Sequence, residues 1–119
     1  MSNEVRGTGN VAETPWLKTV TGEGEERKVT DMRVFFDEYR PDGRGGFEQS
    51  GGFWLDVNVW GGRRAADVAQ HIKKGARIHV VGHLVESAWT TTDTGAERSA
   101  LHLDADELFL SLVRVAEIT

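Results

Sequence analysis

The sequence predicts an all-β barrel carrying a single helix, and three observations point there. Residues Phe53 to Trp60 alternate strictly, with Phe53, Leu55, Val57 and Val59 on one face and Trp54, Asp56, Asn58 and Trp60 on the other. That is the period of a strand lying on a core. Comparable stretches recur at 28–39, 77–89 and 98–108, separated by glycine-rich or polar turns. Only one stretch, Arg63 to Lys74, carries a helical stripe, whereas a parallel βαβ sheet would need more helices.

Taken in order, Val5 to Ala12 reads as a strand loosened by Gly7 and Gly9. Glycine inside a strand often marks a bulge or a bend at a barrel corner. Pro15 kinks the chain and Trp16-Leu17-Lys18 continues it, with Trp16 read as packing. Gly22 to Glu26 is a short acidic hairpin tip. The second strand, Lys28 to Tyr39, sets Met32, Val34 and Phe36 against Arg33 and Phe35. Arg40 to Gly52 is expected to be a long loop, of a length that tends to be functional or disordered. Its Arg40 and Arg44 are either polyanion contacts or plain solvated residues.

The third strand, 53–60, leads through Gly61-Gly62 into the helix. Ala65, Val68, Ala69 and Ile72 fall at i, i+3, i+4 and i+7, one apolar stripe for docking on a sheet. Lys73 and Lys74 are expected in the last turn, favoured by the helix dipole, with Gly75 as the cap. The fourth strand, Arg77 to Trp89, puts Ile78, Val80, Gly82 and Leu84 on one face. Arg77, His79, Val81, His83 and Trp89 take the other. Thr90 to Glu97 is a polar hairpin with Asp93-Thr94-Gly95 at its tip. Arg98 to Leu108 returns with Leu101 and Leu103 inward and His102, Asp104 and Asp106 outward. Phe109 to Ile118 is expected to be an extra strand or a clasp onto a partner subunit. Five strands with one helix between the third and fourth is the plan of an OB-fold, a small Greek-key barrel, and 1–119 is read as one such domain.

Composition narrows the function. The 119 residues are 39% hydrophobic and 28% charged, the balance of a soluble globular domain. No apolar run approaches the roughly 20 residues of a membrane helix, and Met1-Ser2-Asn3-Glu4 begins no secretory signal. A chain without cysteine has neither disulfides nor thiolate metal sites. The expectation is a cytoplasmic, nucleoid-associated protein with no cofactor, no metal and no membrane partner. The formal charge of −5 runs against the basic footprint usual for a nucleic-acid binder, although a local basic groove can outweigh it.

No enzyme is visible. Gln49-Ser50-Gly51 lacks the context of a nucleophile elbow, and the glycine clusters match neither a P-loop nor a dinucleotide fingerprint. His79 and His83 are four strand residues apart, roughly 13 Å, too far for one metal. All four histidines are read as surface or interface residues. The aromatic set differs. Trp54, Trp60, Trp89 and, beside them, Phe35 and Tyr39 fall on outward faces or strand ends, interleaved with Arg33, Arg63, Arg77, Arg98 and Lys18. Stacking platforms with cations between them are what single-stranded nucleic acid needs, because every base has a π-face and every link a phosphate.

The order of these residues resembles the bacterial-type single-stranded DNA-binding (SSB) proteins over nearly the whole chain. Gly9-Asn10-Val11 with Pro15 is similar to the first strand and exit of that family. Trp54 to Trp60, Gly61 and the Ala65, Val68-Ala69 helix resemble its aromatic-flanked third strand and helix. Lys73-Lys74-Gly75 running into Ile78-His79-Val80-Val81-Gly82-His83-Leu84 is the strongest match, and Ala105-Asp106-Glu107-Leu108 resembles the end of the final barrel strand. The resemblance implies sequence-independent binding of single-stranded DNA in replication, recombination or repair, without catalysis, by a homotetramer or homodimer. It implies base stacking at Trp54, Trp60 and Trp89, with Tyr39 near a further family aromatic. The chain departs from the family in ending at Thr119 without an acidic, phenylalanine-terminated tail, and in carrying −5 on the domain itself. A tail-less variant or paralogue is therefore expected. The alternative is an OB-fold assembly module, of primosome or conjugation type, whose tryptophans are covered by protein.

Overall fold

A computed structural model describes residues 3–112, apart from the side chain of Trp89. Six strands and one helix follow in order: β1 Glu4–Val11, β2 Trp16–Gly22, β3 Glu25–Pro41, β4 Phe47–Trp60, α1 Gly62–His71, β5 Arg77–Thr90 and β6 Glu97–Leu110. Five of the strands close on themselves. β1 pairs antiparallel with both β3 and β5, β5 with β6, and β3 with β4, while β4 and β6 run parallel through Asp56↔His102 to Asn58↔Asp104. The ring β1-β3-β4-β6-β5 is the five-stranded barrel expected. β2 stands outside it, paired with β3 alone.

Glycine makes the closure possible. Gly9, like Asn10 after it, pairs with both neighbours of β1, facing Phe36 of β3 and Ile78 of β5. A Cβ there would lie 2.4 Å from the Phe35 carbonyl oxygen, so only glycine lets the strands meet. Gly82 does the same on the far side, where β6 carries a bulge between its partners of Val81 and Gly82. A Cβ at Gly82 would meet the Asp104 carbonyl oxygen at 2.2 Å.

The core is built from the alternate positions the strand pattern selects: Met32, Val34, Phe36, Leu55, Val57, Val59, Ile78, Val80 and Leu103, with Val11. Helix α1 closes one end of the barrel. It buries Ala65, the following Ile72 is buried too, and Val68 packs against the core. The buried Thr30 hydroxyl donates to the Ala65 carbonyl at 2.6 Å, tying helix to β3. Arg64 Nη2 donates to the carbonyls of Ala105 at 3.1 Å and Asp106 at 2.5 Å, tying it to β6.

Several expectations change. The kink at Pro15 separates β1 from β2, giving six strands rather than five, and Trp16 is 65% exposed instead of packed. The stretch 40–52 is no long loop: β3 and β4 extend as a ribbon to Pro41↔Phe47, leaving only 42–46 as a tip. Outside the core these strands are held by backbone pairing, which hydrophobic alternation does not report. The helix ends at His71, so Lys73 and Lys74 follow it, and Gly75 sits in the turn to β5 with φ of 90°. Phe53 and Leu101, expected inward, are both exposed; Phe53 stacks its ring on the buried Phe36 at the rim of the core, 5.5 Å between centroids. Phe109 and Leu110 belong to β6 itself, while residues 113–119 of the expected extra strand or clasp lie outside the described residues.

Candidate nucleic-acid interface

Cross-strand register gathers the outward residues into rows. One row runs Arg77, Asn10, Phe35, Trp54 across β5, β1, β3 and β4. A second runs Arg33, Asp56, His102 across β3, β4 and β6, and a third runs Trp16, Asp31, Asn58, Asp104 from β2 to β6. The second and third rows floor a concavity of about 510 Å³. Trp16, Lys18 and Val20 of β2 stand on one side and Ser87, Ala100 and Leu101 of the β5–β6 hairpin on the other, with Trp60 at the strand end.

The aromatic groups are held by neighbours. Phe35 and Trp54 lie 5.0 Å apart between ring centroids at an interplanar angle of 50°. Gly52 makes room for them, since a Cβ there would come within 2.6 Å of the Phe35 ring. The Arg33 guanidinium sits 5.5 Å from the Trp54 ring centre. Arg27 covers the Trp60 ring at 4.4 Å, and the Trp60 indole N–H donates to Asp104 at 3.3 Å. Lys18 lies 5.5 Å from the Trp16 ring. Trp54 remains 49% exposed, a rigid apolar plate left facing solvent.

Carboxylates accompany the groove's cations. Lys18 pairs with Asp31 at 2.5 Å, and Asp31 also accepts from the Asn58 amide. Arg33 pairs with Asp56 at 3.0 Å. His102 bridges the Ser87 hydroxyl at 3.2 Å and Asp104 at 3.4 Å. Among the described residues no group of three His, Asp or Glu side chains comes together as a metal site.

Of the residues expected from sequence, Arg33, Trp60 and Lys18 meet in the concavity, and Phe35 and Trp54 extend the same surface. Arg77 is otherwise engaged. It grips Asp37 through two bonds of 2.9 and 3.0 Å, below the Tyr39 ring. Burial pushes the Asp37 carboxyl up, but Arg77 and the Tyr39 hydroxyl outweigh this and hold it below the usual carboxylate range. Arg63 lies on α1, beside Asp67 and away from the groove lining. Arg98 is exposed on β6, opposite the backbone of Trp89; the Trp89 side chain, expected to stack, lies outside the described residues. Two contributors were missed. Trp16 was visible in the alternation Trp16, Lys18, Val20, which places all three on one face. Arg27 had no signal, because its place over Trp60 follows from the β3–β4 register, in which Val29, two residues along the strand, is the partner of Trp60.

This barrel belongs to a recognised class: residues 2–111 match the Single-strand binding protein family, and the chain is a member of it. A single-stranded DNA-binding protein of Corynebacterium glutamicum is 39% identical over 67 residues, 56% of this chain. The match spans only 28% of that relative's length. Among solved structures, a small single-stranded DNA-binding protein from Streptomyces coelicolor superposes with a TM-score of 0.77 at 17% identity, covering 97% of this chain and 99% of that one. The Plasmodium falciparum SSB in complex with ssDNA gives 0.72 at 18% identity, covering 93% and 96%. At such identities these structures speak for the shared OB-fold alone. No helix among the described residues is long and apolar enough to cross a membrane.

Proposed function

We propose that this chain binds single-stranded DNA without reading its sequence, and so protects exposed strands in replication, recombination or repair. One observation carries the reading: Trp16 and Trp60 line a concavity of about 510 Å³, Phe35 and Trp54 stand on the strand row beside it, and a cation lies by each of these tryptophans. Family membership supports it, and the Plasmodium falciparum structure is an instance of the same fold in complex with ssDNA. Trp54, Trp60, Trp16 and Phe35 are the stacking platforms in this reading, with Tyr39, further along β3 than Phe35, and Trp89 as additional stacking candidates. Lys18, Arg27 and Arg33 supply backbone contacts, while Arg77 positions Tyr39. The protein is non-catalytic and works as a homodimer or homotetramer.

Fluorescence anisotropy of labelled oligo-dT, followed by size exclusion with light scattering, tests this. A complex at micromolar protein and low salt, eluting as a discrete oligomer with DNA, is expected. Co-elution failing at every protein concentration tried would turn the reading toward a protein-assembly module.

A further inference from the structure

We propose that Asp31 and Asp56 are built-in counter-anions that occupy the groove's cations, so that the groove selects a strand through its bases rather than its phosphates. The inference rests on the single-strand-binding reading and names what sets its affinity. The concavity is lined by two cations, Lys18 and Arg33, and three carboxylates, Glu13, Asp31 and Asp56. Its lining is therefore net negative, although its ligand is a polyanion. Both cations are already paired, Lys18 with Asp31 at 2.5 Å and Arg33 with Asp56 at 3.0 Å. Asp31 is held twice, since Asn58 on the adjacent strand also donates to it. It stays in place even if Lys18 swings away.

A phosphate reaching either cation must share it with a carboxylate a few ångströms off. That is well inside the screening length of about 8 Å at physiological salt, so the repulsion persists there. A base laid on Trp16, Trp54 or Phe35 meets no such opposition, because stacking involves no net charge. The pairs themselves are partly exposed and contribute little to folding. Their consequence lies in binding.

The test compares wild type with Asp31→Asn, Asp56→Asn and the double variant. Asp67→Asn is the control; it removes the same charge from α1, outside the groove lining. Anisotropy is measured with oligo-dT and with an abasic oligomer of equal length, which offers phosphates without bases. Each groove variant should bind oligo-dT about fivefold more tightly at low salt. The double variant should gain measurable binding to the abasic strand, with wild type and Asp67→Asn showing none. Unchanged affinity in the groove variants, or an equal gain in Asp67→Asn, would overturn the proposal while leaving the binding reading intact. If no protein binds oligo-dT, the underlying reading falls and this one with it. Should Asp31→Asn melt early, Asp56→Asn decides alone, since its side chain is 57% exposed and pairs with Arg33 at the surface.

Discussion

A tryptophan indole left half in solvent offers a flat apolar face, and covering it with a ligand returns hydration free energy. Trp16 and Trp54 are such residues. Trp16→Ala, Trp54→Ala and Trp60→Ala should each weaken oligo-dT binding by about 1–3 kcal/mol, one stacked base apiece. Circular dichroism melts should move least for Trp16, the most exposed of the three. Asp37 belongs to a different ledger. Its carboxyl is lowered in the folded chain, so the Arg77 pair stabilises fully above the ordinary aspartate pKa of about 3.9. That contribution is lost as pH falls below this value through the lowered one. Asp37→Asn should cost about 2 kcal/mol at neutral pH by stranding a half-buried guanidinium. Urea melts at pH 7 and pH 3 should show the variant less pH-dependent than wild type.

At the scale of elements, the barrel depends on two close approaches more than on any helix. Gly9→Ala and Gly82→Ala put a methyl against backbone carbonyls, and each should destabilise by about 1–3 kcal/mol or more, read in thermal melts. Gly22→Ala, with open space around it, should not. The core strands and their faces were legible because alternation reports burial: Met32, Val34, Phe36, Val57 and Val59 sit where the pattern puts them. Alternation fails where strands outrun the core. The Arg40–Gly52 stretch is extended through backbone pairing, and Phe53, although stacked on the buried Phe36, lies at the rim where little else covers it. The outward placement of Trp54, Trp60, Phe35 and Arg33 was legible residue by residue, because their strand face could be counted. The pairing of cations with Asp31, Asp56 and Asp37 was not, because it joins residues 13 to 40 positions apart.

The whole molecule is acidic, at −5, yet belongs to a family of single-strand binders. The two facts agree if binding draws mainly on stacking and little on counterion release. For single strands, affinity falls with salt at a slope of about −0.7 per phosphate neutralised. Lys18, Arg27 and Arg33, two of them paired, allow a slope no steeper than about −2 per protomer. The most direct measurement is the protein's own tryptophan emission during titration with oligo-dT at low salt and micromolar protein. The account predicts saturable quenching that persists, weakened only modestly, at physiological salt. Emission unchanged by oligo-dT at low salt would contradict it.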